Sequence, residues 1–206
     1  WIVVDPLTAP QSSGAALAFA RQHLGDKPVS AIIFTHAHVD HFGGVLGVTT
    51  AKDAAERKLP IVAPEGFMEE ATSENVLVGT GMARRSMYQF GKNLPRSAKG
   101  NVDTGLGKDV VYGLPAILPP TVLIDKPDQP MVLDGVDFIF HNAPNAESPA
   151  ELSFSIPDKK LYDGAENLAQ TMHNLLPIRG AKVRDSLRWS TYMEQALEHV
   201  KDADVY

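Results

Sequence analysis

Thr35-His36-Ala37-His38-Val39-Asp40-His41-Phe42-Gly43-Gly44 gathers three imidazoles and a carboxylate into one short stretch. Residues two apart in an extended segment point to the same side, so His36 and His38 can grip one ion. Asp40 and His41 come after the chain turns and can reach a second. Gly43 and Gly44 permit close backbone approach. The chain has no Cys, which excludes disulfides and thiolate metal sites and leaves His, Asp and Glu as ligands. Imidazoles and carboxylates without thiolates suit Zn²⁺ foremost, with Fe or Mn as alternatives. The plainer reading is a polar loop of solvated histidines at the end of a strand.

Elements that would position these groups are legible around them. Trp1-Ile2-Val3-Val4-Asp5 reads as a buried strand stopped by Pro6. Ser12 or Ser13 can cap a helix over Gly14 to Leu24, which Gly25 closes in the position that favours left-handed backbone. Val29 to Phe34 is an apolar, β-rich run, so the opening reads β-α-β with a parallel pair. Whatever follows Phe34 then sits at the carboxyl end of a strand, where open α/β sheets place ligands. Pro60 to Ala63 is a further short strand, and residues 65 to 90 are rich in helix formers. Residues 91 to 120 read as a long irregular excursion of the kind that is often functional or covered by a partner. Val122-Leu123-Ile124, Met131-Val132-Leu133, Val136 to Phe140, Leu152 to Ile156 and Lys160-Leu161-Tyr162 read as strands, with Asp134-Gly135 a hairpin turn. A helical pattern covers 181 to 200, and Val205-Tyr206 looks like the opening of another strand. Both ends read as cut.

The 206 residues are 44% hydrophobic and 21% charged, an ordinary globular composition with enough chain for a core. Nineteen Lys+Arg against 25 Asp+Glu give a net charge of −6, which argues against broad nucleic-acid or anionic-membrane binding while permitting a local basic pocket. No apolar run approaches the ~20 residues that cross a bilayer. Gly105-Leu106-Gly107-Lys108-Asp109 lacks the earlier Gly and following Ser/Thr of a phosphate loop.

The His36 to His41 segment resembles the HxHxDH motif of the metallo-β-lactamase superfamily. That resemblance implies an α/β fold, a four-layer αββα sandwich in which paired ions share a nucleophilic water, here incomplete at both ends. The usual later His and bridging Asp have no counterpart. Instead Asn145-Ala146-Glu147-Ser148-Pro149-Ala150-Glu151 and Gly164-Ala165-Glu166-Asn167 are similar to the alkylsulfatase branch, where Glu takes both positions. Ala63 to Phe67, Met82 to Arg85, Gly105 to Lys108 and Arg179 to Asp185 are similar too, so the likeness covers nearly the whole chain. By resemblance Glu147 joins His36 and His38 on the first ion, with Glu151 in reserve. Glu166 bridges to the second ion, which Asp40 and His41 hold. The third imidazole of that ion is expected beyond residue 206. His173 is expected to be structural, His23 and His199 to lie at the surface, and His141 has no family role.

Two Zn²⁺ against three carboxylates and a bridging hydroxide leave the cluster formally neutral, so a sulfate monoanion needs other cations. Arg179, Lys182, Arg184 and Arg188 stand at the start of the last helix, whose Val183, Leu187, Met193, Leu197 and Val200 are expected to face a core. A helix N-terminus with guanidinium groups suits an oxyanion, and Arg179 and Arg184 are the expected sulfate contacts. Met68, Met82, Met87 and Tyr88 either line an apolar wall or pack inside. The implied activity is metal-assisted hydrolysis of small alkyl sulfate esters by residues 1–206, part of one catalytic domain. The rivals are a thioesterase, lactonase, β-lactamase or phosphodiesterase, or a non-catalytic metal-binding piece that needs a complementary chain. The resemblance further implies a homodimer for the full-length protein, dimerisation and sterol-carrier-like domains not visible here, and a periplasmic or secreted setting.

Overall fold

A computed structural model describes residues 1–105, 107–109, 113–170 and 172–206. Leu106 of the Gly105 to Lys108 likeness and Thr171, beside His173, lie outside the described residues.

Four strands, β1 (Ile2–Val4), β2 (Ala31–Ile33), β3 (Ile61–Pro64) and β4 (Val122–Ile124), form a parallel sheet in sequence order. Helix α1 (Pro10–Leu24) links the first pair. Side chains alternate across β2: Ile32 and Phe34 enter a core shared with Leu17, Phe42 and Phe67, while Ala31 and Ile33 enter a second core with Phe138, Phe140 and Phe154. A strand covered on both faces reads as a continuous apolar run, which is why 29–34 shows no polar alternation.

The second sheet is antiparallel, with β5 (Gln129–Leu133), β6 (Val136–Asn142), β7 (Leu152–Ile156) and β8 (Leu161–Asp163) in order. Asp134 and Gly135 both have positive φ, 50° and 76°, as the tight β5–β6 hairpin requires. Helix α6 (Ser186–Val200) covers this sheet, burying Trp189 and Ala196 on one face. Helices α2 (Val39–Phe42), α3 (Ala51–Glu56) and α4 (Phe67–Thr72) pack about the parallel sheet, giving the expected αββα order, and α5 (Gly79–Gln89) follows α4.

Several local expectations are corrected. Helix α1 starts at Pro10 rather than after Ser12 or Ser13, because Pro's fixed φ suits the first helical position. Strand β1 is half-buried, being the sheet's edge. The 65–90 helix is interrupted by a π turn over Ser73–Leu77. Helix α6 starts at Ser186, and its Val183 to Leu197 stripe does not face a core: Leu187 and Leu197 are exposed, because Trp189 and Ala196, seven residues apart, set the buried face. Its N-terminal amides are not open to an anion, since Asp185 Oδ1 accepts from Leu187 N (3.1 Å) and Arg188 N (3.0 Å). His199 is not at the surface alone; its ring stacks on His141 at 3.9 Å and on Tyr162 at 5.6 Å.

Candidate metal centre

The site forms where the carboxyl ends of the parallel strands meet two connections of the antiparallel sheet. After β2 the chain stays extended through His36 and His38, then turns into α2 with Asp40 and His41. Gly43 and Gly44 have ordinary helical and near-helical backbone angles, so their role is closeness: a Cβ on Gly44 would strike the Pro6 carbonyl oxygen. The β6–β7 connection carries Glu147, and the turn after β8 carries Glu166. Leu152 N donates to Thr35 O at 2.8 Å, and His36 pairs with Glu151 in an isolated antiparallel bridge, so the two sheets are stitched at the site itself.

The structure brings all six expected ligands together. One ligand atom each from His36, His38, Glu147 and Glu166 lies within 4.8 Å of the others, and the same holds for Asp40, His41 and Glu166. Glu147 Oε2 is 3.5 Å from His36 Nε2 and 3.1 Å from His38 Nδ1. Glu166 reaches both sets: Oε2 is 3.6 Å from His36 Nε2 and Oε1 is 3.5 Å from His41 Nε2. Ala165 beside it adopts φ 49°, a left-handed conformation that costs a non-glycine residue about 1–2 kcal/mol. His173 Nε2 also lies 3.6 Å from Glu166 Oε2.

The electrostatics separate these groups. Burial opposes ionisation of Glu147, but His38, His36 and Arg184 hold its carboxyl down to about 2. Glu166 and Asp40 are likewise buried against ionisation yet kept well below the usual carboxylate range, the first by His36 and His41, the second chiefly by His41. Burial and then the charge of His41 lower His36. His41 overcomes its burial through Asp40, Asp5 and Glu166 and is raised far above the ordinary imidazole value. Glu151 is pushed up by burial and by Glu147. The donor set fits a divalent cation: His36 Nε2 and Glu147 Oε2 are buried with no hydrogen-bond partner among the described residues, and they face each other.

Both expected arginines line the same cavity of about 870 Å³ as His38, Asp40, Glu147 and Glu166. Arg179 donates from Nη1 to Glu74 Oε2 at 2.8 Å and places Nη2 3.1 Å from His38 Nε2. Arg184 is spent on protein contacts: Nη2 on the Glu147 carboxylate, Nε on the Glu147 carbonyl and Nη1 on Asn174 O. Met82 and Met172 supply apolar wall, while Tyr88 is exposed. Thr104, Asp109 and Pro115 bring part of the irregular excursion to the rim.

Two participants were not visible in the sequence reading. Asp5, at the end of β1, accepts from Thr35 N (2.8 Å), Thr35 Oγ1 (2.7 Å) and His41 Nδ1 (2.7 Å). An Asp closing an apolar strand at the sheet's carboxyl edge was the available signal. Glu74 gave none, since a glutamate in a helical stretch is ordinary. A separate cluster of Asp128, His141 and His199 has ligand-like spacing, but both ring nitrogens of His141 are already paired, with Asp128 (2.7 Å) and Ser155 (2.9 Å).

Residues 1–198 match the family description "Metallo-beta-lactamase superfamily". The chain is 43% identical over 95% of its length to a linear primary-alkylsulfatase of Pseudomonas sp. and 40% identical over 95% to an alkyl/aryl-sulfatase of Saccharomyces cerevisiae. It spans only 29% and 30% of those relatives. The solved structure of a stereoselective inverting sec-alkylsulfatase from Pseudomonas sp. superposes with a TM-score of 0.92 at 40% identity, covering 99% of this chain and 32% of that one.

Proposed function

The chain belongs to the metallo-β-lactamase superfamily, and from that premise we propose that it carries the metal centre of an alkylsulfatase, hydrolysing alkyl sulfate esters to alcohol and inorganic sulfate with two zinc ions. The observation that carries this reading is the convergence of Glu147 and Glu166 on His36, His38 and His41, in a chain at least 40% identical to named alkylsulfatases. His36, His38 and Glu147 would hold the first ion, Asp40 and His41 the second, and Glu166 would serve both. Zinc at such ligands supplies Lewis acidity and a water nucleophile at neutral pH.

The remaining work falls to the protein's own groups. Asp5 fixes the ring of His41 through Nδ1 and leaves Nε2 toward Asp40 and Glu166. Arg184 orients the Glu147 carboxylate through Oε1, leaving Oε2 toward the imidazoles. Arg179, at the cavity wall, takes the sulfate oxygens, where a guanidinium matches a tetrahedral oxyanion. Met82, Phe90 and Met172 offer the alkyl chain an apolar surface. Water attacks the ester carbon, its oxygen becomes the alcohol oxygen and releases one proton to solvent, and the C–O electron pair leaves with sulfate. The relative described as inverting supports this route, because inversion requires rear attack at carbon. The full-length protein is proposed to act as a homodimer.

Hydrolysis of dodecyl sulfate in H₂¹⁸O tests the reading. Sulfate release with label in the alcohol is expected, and label in the sulfate refutes attack at carbon. Turnover of thioester, lactone, β-lactam or phosphodiester without sulfate release refutes the substrate class. Uptake of one zinc or none per chain, with no sulfate release even at high enzyme concentration, favours the non-catalytic piece.

A further inference from the structure

Glu74 sits on the π turn Ser73–Leu77 between α4 and α5, where Val78 N bonds Ser73 O at 3.2 Å. Single π turns inside helical stretches are frequent at functional sites. Its side chain is 12% exposed and divides its oxygens between two groups of the site. Oε2 accepts from Arg179 Nη1 at 2.8 Å, and Oε1 lies 4.0 Å from His38 Nε2, just beyond hydrogen-bond length.

The ring of His38 explains why that second oxygen matters. Its Nδ1 faces Glu147 Oε2 at 3.1 Å, and its Nε2 faces Arg179 Nη2 at 3.1 Å. A guanidinium can only donate. In this arrangement Nε2 therefore accepts from Arg179, and Nδ1 carries the proton on the side of Glu147 Oε2. An imidazole that gives its Nδ1 lone pair to a cation carries its proton on Nε2 instead, and that N–H needs an acceptor, commonly a carboxylate. Arg179 cannot serve, because two donors would then face each other. Glu74 Oε1 is the carboxylate oxygen that the structure places beside it.

We propose that Glu74 is a positioning residue for the metal centre: it accepts the Nε2 proton of His38 when Nδ1 ligates, and it tethers Arg179 with its other oxygen. One side chain thus couples the loading of the first ion to the placement of the anion-binding arginine. The inference rests on the metal-centre reading above.

The test uses the intact protein and Zn²⁺ alone, titrated against a chromophoric chelator, with ¹⁵N shifts of His38 as a second readout. Glu74→Ala is expected to weaken the first ion about 10- to 100-fold and leave the second unchanged. Glu74→Gln, whose amide oxygen still accepts, is expected to lose less, and its near-identical shape keeps the comparison valid should the Ala variant fold poorly. Zinc-loaded wild type is expected to show His38 protonated on Nε2. Wild-type affinity in both variants, an equal loss of both ions, or a proton on Nδ1 in the loaded protein overturns the role of Glu74. A wild-type protein that takes up no zinc overturns the metal-centre reading itself.

Discussion

Replacing Asp5 by Asn separates folding from metal binding. The carboxylate accepts three hydrogen bonds: Oδ1 from the buried Thr35 amide at 2.8 Å, and Oδ2 from Thr35 Oγ1 and His41 Nδ1, both at 2.7 Å. In Asp5→Asn the amide oxygen keeps the Thr35 N bond, while the NH₂ group takes the place of Oδ2. Thr35 Oγ1, with His36 Nδ1 2.9 Å away on its other side, can accept from that NH₂ while its own O–H loses an acceptor, so the fold loses about 1 kcal/mol. His41 fares differently. Its Nδ1 now meets a donor and must accept, which moves the ring proton to Nε2, the atom 3.6 Å from Asp40 and 3.5 Å from Glu166. A protonated Nε2 cannot ligate, and loss of such an outer partner costs about 10- to 100-fold in metal affinity. Asp5→Ala differs in kind, since it strands the buried Thr35 N–H and costs the fold about 1–3 kcal/mol. Urea unfolding of metal-free protein, paired with zinc titration, reads both effects. Full affinity for the second ion in Asp5→Asn, with a normal urea midpoint, refutes the tautomer reasoning.

Three further outcomes follow from the same geometry. Gly44→Ala drives a Cβ onto the Pro6 carbonyl and to 2.8 Å from Ser13 Oγ, so it should destabilise by about 1–3 kcal/mol, and an unchanged urea midpoint contradicts the packing account. Burial, and then the charge of His199, lowers His141 from 6.5. Below that value the unfolded chain takes up this proton before the folded one, so its contribution is complete above pH 6.5 and is lost as pH falls. Unfolding measured from pH 7 to 5 should show a shallower decline in His141→Gln, and matching slopes refute this. Zinc at about 100 times its Kd should add about 2.7 kcal/mol to stability, reversibly by EDTA; a midpoint indifferent to both is inconsistent with a folded-state site.

What was legible in the sequence was whatever local chemistry dictates. The continuous apolar run 29–34, the Asp134-Gly135 turn and the clustered histidines each state their structure in adjacent residues, and all three elements are present. The glutamates are a different matter: nothing near Glu147 says that His36 lies 3.5 Å away, and only likeness to a family selected it over Glu151. Helix α6 misled because its apolar residues fit a stripe, whereas the large ring of Trp189, tied by Nε1 to Asn167 O at 3.0 Å, decides which face is buried. The roles of Asp5 and Arg184 depend on partners 30 or more residues away, a distance at which spacing carries no signal.

The division of labour between the sheets ties the centre to the fold. The parallel sheet supplies Asp5 and the Thr35 to His41 segment from its carboxyl edge, and the antiparallel sheet supplies Glu147 and Glu166 from its connections. Each proposed site draws at least one imidazole from the parallel sheet and a carboxylate from the antiparallel one. The sheets meet through the shared core of Ile33, Val62, Phe140 and Phe154, and through the Thr35–Leu152 bond beside the ligands. Any loosening between the sheets therefore separates Glu147 and Glu166 from His36 before it disturbs the HxHxDH segment itself. Conversely, an ion bound across them resists that separation, so metal affinity and inter-sheet packing are expected to rise and fall together in core variants such as Phe140→Leu.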